Sequence, residues 1–277
     1  ILSNNFELAL GKFHTNLGPF SRGNLSISDN APPIQQFFLK LKHKKVIFTY
    51  VLGFLDSNIP TSVHFGDNNF GSNLLYQDRW EWCKNTTDES GNLSICPSHL
   101  DFNYDLLTNE LSGGARSNEI ERYVVNHRVD LFPSKQLRIG LYEQVVFGYR
   151  NIPIYYMIPV LPFWSAQHES GDLDNIMMGI DFDYIFGRKE GFSNRIYGAL
   201  LIDEWAPYST FKDNERNWFA YQLGFSRNFN LFNNDCLIKT EYTKIDPRVY
   251  NHRFIINEPK HHGYNLGFWS GNHSDDI

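Results

Sequence analysis

The sequence has no run of about 18 apolar residues, the length an α-helix needs to cross a bilayer. Its longest apolar stretch, Ile152 to Ala166, is interrupted by Pro153, Pro159 and Pro162, which excludes a helical membrane span. Cysteine is scarce, with only Cys83, Cys96 and Cys236. Three thiols make no disulfide framework, and no CxxC or nearby histidine pair completes a zinc site. Cys83 and Cys96 bracket KNTTDESGNLSI, an exposed-loop composition, and whether they are joined stays open. Basic residues are outnumbered 25 to 31, for a net charge of −6. With no basic stripe carrying interleaved aromatics, nucleic acid is not an expected partner. Lys40, Lys42, Lys44 and Lys45 read as a solvated hairpin tip. GxSxG, P-loop and HExxH are missing. The GGAR of 113–116 lacks the strand-to-helix context of a phosphate cradle. Neither an enzyme nor a cofactor is expected.

What is present in excess is aromatic: 16% of residues, including 23 Phe and 15 Tyr. Mean hydropathy is −0.41, a value usual for soluble proteins. A transmembrane β-barrel also reaches it, because alternate strand residues face a polar lumen. The strand pattern supports that reading. From Trp218, Phe219, Tyr221, Leu223 and Phe225 share one face, and Ala220, Gln222, Gly224 and Ser226 the other. Met178, Ile180, Phe182, Tyr184 and Phe186 alternate with Gly179, Asp181 and Asp183. Tyr123, Val125, Val129 and Leu131 alternate with Arg122, Asn126, Arg128 and Asp130, and only His127 breaks the apolar side.

Further strands are expected at 35–42, 45–55, 136–148, 195–203 and 235–246, and over the first residues. Several reach the 9–11 residues of a tilted bilayer crossing. Short connections at 132–135 and 231–235 alternate with long ones around 56–75, 83–118, 150–172 and 204–216, the asymmetry of an outer-membrane barrel. The expected fold is all-β, an antiparallel transmembrane β-barrel of outer-membrane type, forming one domain over 1–277 and truncated at both ends. An export signal is expected outside the given sequence. A soluble sandwich or lipocalin-like barrel remains the alternative, since periodicity does not say which face is inside. On the membrane reading, a charge at Leu223 meets lipid and one at Gln222 meets water.

Four stretches in order resemble the Wzi capsule-assembly family. They are GPFSRGNLSISDNAPP from Gly18 to Pro33, and GLYEQVVFG from Gly140 to Gly148 with an acidic Glu143. DNIMMGIDFDYIF from Asp174 to Phe186 with ALLIDEW from Ala199 to Trp205 is the third. The fourth is YTKIDPRVYNHRF from Tyr242 to Phe254, continuing through HHGYNLGFWSGNHSDD from His261 to Asp276. The resemblance implies a bacterial outer-membrane location and lectin-like, non-catalytic engagement of capsular or exopolysaccharide, with outer-membrane lipid as the other partner. A structural role in adhesion or gliding and a solute-conducting pore are the rival roles. No early strands, export signal or plugging helical bundle like the enterobacterial member's are visible.

The residues themselves offer carbohydrate-binding candidates, because sugars pair hydroxyl rims with apolar faces. Asp203, Glu204 and Trp205 combine carboxylates with an indole at a strand end. Tyr264 and Trp269 do so with Asn272, Asp275 and Asp276. Interfacial anchoring is the competing role for each Trp. Asp181 and Asp183 share a strand face, roughly 6.5–7 Å apart. That spacing permits glycan binding or a glycosidase pair, but equally a lumen ion network of Asp130, Asp181, Asp183 and Asp203 with Arg128, Arg138 or Lys239. His261, His262 and His252 suggest no metal, because neighbouring residues on an extended chain point to opposite faces.

Overall fold

Alternation at period two becomes strand at every place it was read. The computed structural model describes residues 4–56, 121–148, 151–158, 161–163, 174–189, 192–205, 217–232, 234–246, 248–252, 255–270 and 274–276. The Cys83–Cys96 question, the GGAR turn and Asn272 lie outside them. The strands are β1 (Phe6–Phe13), β2 (Ile34–His43), β3 (Val46–Leu55), β4 (Arg122–Leu131), β5 (Leu137–Gly148), β6 (Asn175–Lys189), β7 (Phe192–Glu204), β8 (Trp218–Leu231) and β9 (Asn234–Ile245). Two short strands, β10 (Lys260–His261) and β11 (Tyr264–Asn265), pair with each other, and β12 (Ser274–Asp276) pairs with β9. Among the described residues, β1 to β9 and then β12 form one ten-stranded sheet in chain order, each strand antiparallel to its neighbour. This is the antiparallel β-barrel fold of the outer-membrane type. Short turns close one end. There Lys44 and Phe232 adopt left-handed conformations, and Ser134 Oγ accepts the amides of Gln136 and Leu137 at 3.2 and 3.1 Å. All long connections leave from the other end.

Register decides the faces. Leu41, Phe48, Val129 and Leu141 are successive partners across four strands, and Ile180 continues the row on β6. This row and its parallels form the convex face, where Leu141, Ile180, Phe182, Leu223 and Phe225 are exposed. Water around so many uncovered apolar side chains is unfavourable by about 25 cal/mol per Å²; hydrocarbon removes that cost. The buried ion pairs of the wall, Arg128 with Asp130 and Asp181 and Arg195 with Asp183, occupy the concave side, as expected for a barrel immersed in lipid.

One part of the convex face is covered by protein. Residues 151–158 and 161–163 were expected only as a connection, yet they fold back over β3 to β6. A single helical turn, α1 (Ile154–Met157), follows Pro153, whose ring favours a helix start. Tyr156, fully buried, donates its hydroxyl to Asp174 at 2.6 Å and stacks near Phe147. Phe163 lies over His127 with 3.9 Å between ring centroids, and its amide donates to Glu143 at 2.9 Å. The lone histidine of the apolar face is thus roofed by this cladding and its flanking aromatics. Tyr156→Ala should destabilise the barrel by about 3–5 kcal/mol through the cavity left behind, measured as a lower urea midpoint in detergent or vesicles. A loss below about 1 kcal/mol would show that the cladding is not packed as described.

The concave side is not an open lumen either. Residues 14–33, 248–252 and 255–270 turn inward, and the first and last of these pair with each other: the Ser28 amide donates to Leu266 O at 2.8 Å, and Asn30 Nδ2 to Asn265 O at 2.9 Å. Leu25, Val249, Tyr250 and Phe268 pack against Tyr142, Met177, Leu201 and Ala220 of the wall. The plug therefore consists of irregular segments, which reach down the lumen as far as Arg195 and Glu241. Gln222, expected to face water, is buried and donates to Gly23 O at 2.9 Å and Thr243 Oγ1 at 3.0 Å. That expectation is corrected: Gln222 is inward, but it meets the plug.

Candidate functional site

Below the plug, toward the short turns, the concave wall carries a belt of ion pairs. Arg128, 2% exposed, bridges Asp130 at 2.6 Å and Asp181 at 2.7 Å. Arg138 reaches the same two carboxylates at 2.7 and 2.9 Å. Gly140 makes the arrangement possible, because a Cβ there would overlap the Arg128 guanidinium. Arg195 holds Asp183 at 2.7 Å, and Lys239 holds Glu241 at 3.2 Å. Glu241 also accepts from Tyr197 and Ser21, which ties the belt to the plug. The expected network is present with two changes. Asp183 pairs with Arg195, and Asp203 takes no part: it is buried and accepts the Tyr250 amide at 2.8 Å.

Tyr250 ties the two plug segments to each other and to the wall. Burial pushes its hydroxyl well above the ordinary tyrosine range. It stays protonated, donating to Leu25 O at 2.7 Å and accepting from the Phe268 amide at 3.2 Å. Gly267 lies beneath it, where a Cβ would run into Leu25 O and the Tyr250 hydroxyl. Arg122, at the start of β4, clamps the next stretch through the carbonyls of Ile256, Glu258 and Lys260.

Ser21 reaches Glu241 and Gly23 is held by Gln222, so Arg22 between them lies midway down the lumen, where the plug presents a small polar and aromatic surface. Trp269 is 48% exposed beside buried Phe268, with the Arg22 guanidinium 5.8 Å from its ring. Tyr264 is exposed at the β10–β11 turn. Trp205 is exposed and Glu204 half-buried at the end of β7. Asp275 sits on β12 opposite Lys244. Of the carbohydrate-binding candidates, Asp181, Asp183 and Asp203 are turned to guanidiniums or to the Tyr250 amide. The exposed or half-exposed ones are Glu204, Trp205, Tyr264 and Trp269. Arg22 went unnoticed in the sequence, where only its RG dipeptide context was available; its pairing with Trp269 spans almost the whole chain.

The histidines also differ from expectation. The chain is not extended at His262, which has φ 51° and is followed by Gly263 at φ 81°. That turn brings the His261 and His262 rings to 4.3 Å, beside Asp56. Burial lowers the His261 pKa to about 4, so its imidazole is neutral at pH 7.

An apolar convex wall, a charged concave one, long connections at one end and an in-folded plug define a protein of the outer-membrane β-barrel class. No protein-family profile matches the sequence, and no curated protein matches it. Among solved structures the fold is similar to Wzi of Escherichia coli, described as an outer membrane protein involved in group 1 capsule assembly and a carbohydrate-binding β-barrel. The match has a TM-score of 0.57 at 13% identity and covers 99% of this chain and 49% of that one. The chain thus spans about half the length of that structure, and the similarity at this identity concerns the fold.

Proposed function

We propose that this chain belongs to an outer-membrane protein of the Wzi kind, which holds surface polysaccharide at the cell exterior without cleaving it. The observation that carries the reading is Trp269 exposed beside the Arg22 guanidinium, on a plug braced by buried hydrogen bonds. An indole face suits the apolar side of a sugar ring, and a guanidinium suits a carboxylate or pyruvyl group on an acidic glycan. Trp205, Glu204 and Tyr264 stand apart from this surface as further candidates, with Asn272 and Asp275 retained from the sequence. Asp181, Asp183 and Asp203 are left out of it, as parts of the lumen framework. A carboxylate whose oxygens are held by guanidiniums is poorly placed to take or give a proton, which favours holding over hydrolysis. The Wzi-like fold supports the same reading.

Fluorescently labelled oligosaccharides from the host's own capsule, titrated into the complete protein in detergent, test it. Trp269→Ala should weaken binding by about tenfold or more, as stacking on an aromatic side chain is worth about 1–3 kcal/mol. Arg22→Gln should weaken acidic fragments selectively. Unchanged affinity in both variants would remove the proposed surface.

A further inference from the structure

Asp56 is the first residue beyond β3, and the β10–β11 hairpin returns to it from the far end of the chain. The His262 amide lies 3.4 Å from Asp56 O, and the Asp56 amide donates to His261 Nδ1 at 3.0 Å. His262 Nε2 lies 2.6 Å from Asp56 Oδ2. One ligand atom from each of the three residues lies within 4.8 Å of the other two.

The local backbone is built to produce this meeting. Left-handed φ at a non-glycine residue costs about 1–3 kcal/mol unless the surroundings hold it, and His262 is held there with Gly263 completing the turn. On a regular strand the two imidazoles would diverge. His261, 1% exposed, is fixed by packing. Its Nδ1 accepts the Asp56 amide, so the imidazole proton lies on Nε2 and the Nδ1 lone pair faces Asp56. Asp56 and His262 are more exposed and have room to adjust.

We infer that Asp56, His261 and His262 form a binding site for a divalent transition-metal ion, with Zn²⁺ the best match to two imidazoles and one carboxylate. Bonds of about 2.0–2.2 Å require donor atoms about 3.3 Å apart in tetrahedral geometry. The cluster reaches that by small movements of Asp56 and His262. Coordination by His261 Nδ1 exchanges the Asp56 amide hydrogen bond for a metal bond, and water takes the remaining position. The ion would staple the β10–β11 hairpin, and with it the plug, to the end of β3. It does not depend on what the Trp269 surface binds.

The test is calorimetric titration of ZnCl₂ into the complete protein in detergent, after chelator treatment and removal of any affinity tag. One zinc per chain is expected, at micromolar affinity or tighter, and cobalt should give the visible band of a tetrahedral N/O site. His262→Asn keeps a residue that tolerates left-handed backbone and should weaken zinc by about tenfold or more, as should Asp56→Asn. His14→Asn, an exposed histidine elsewhere, should change nothing. Both test variants should retain the heat-modifiable band of a folded barrel. Absence of stoichiometric binding, or equal loss in His14→Asn, overturns the site.

Discussion

Arg128→Met should destabilise the folded barrel by about 3–5 kcal/mol, the usual cost of removing one partner from a buried ion cluster. Arg128 satisfies Asp130 and Asp181 together and is almost completely enclosed, with Gly140 beneath its guanidinium. Without it, Arg138 alone faces two carboxylates, and its 17% exposure makes it the weaker partner. The cost is expected to fall sharply in a triple variant with Asp130→Asn and Asp181→Asn, because neutral amides need no counter-charge. Urea midpoints in lipid vesicles measure both effects. If the single variant lost less than about 1 kcal/mol, the belt would be a solvated surface and not a filled lumen.

Leu223→Arg should cost about 2–4 kcal/mol if the position lies near mid-bilayer, because the guanidinium is placed in hydrocarbon. The fair concave-side control is Asn228 on the same strand, which is exposed; Asn228→Arg should stay within about 0.5 kcal/mol. Gln222→Arg should be costly for another reason, since it forces the plug off Gly23. Volume separates the two mechanisms. Leu223→Phe should be nearly neutral in lipid, whereas Gln222→Phe should remain damaging through overpacking and a lost hydrogen bond. Equal tolerance of arginine at Leu223 and Asn228 would argue against a hydrocarbon contact at Leu223.

Why the wall was legible and its contents were not follows from the kinds of order involved. A strand writes its two faces into every second residue, so Phe219 to Phe225 and Met178 to Phe186 could be assigned from the sequence. The strands expected at 35–42 and 45–55 imply a turn at His43–Lys44, and it falls one residue later, at Lys44–Lys45, because a run of lysines gives no sharper signal. The plug segments are aperiodic, and what holds them is long-range: Ser28 with Leu266, Gln222 with Gly23, Asp203 with Tyr250. No local pattern reveals such pairs, so Gln222 was read as wet and Asp203 as ionic. The first and last of the four stretches contain the segments that pack together in the lumen. Asp183 found Arg195 because the β6–β7 register, which includes an irregularity after Phe186, sets that diagonal. The His261 and His262 rings do not diverge as expected, because a positive φ at His262 breaks the extended-chain geometry.

The most direct test of the whole account is a nitroxide scan along 219–226 of β8 in lipid vesicles, with the native cysteines replaced. Collision rates with oxygen, which partitions into hydrocarbon, should be high at 219, 221, 223 and 225 and low at 220, 222, 224 and 226. A flat profile, or one with the even positions more oxygen-accessible, would contradict a lipid-facing aromatic wall, and the outer-membrane reading would fall with it.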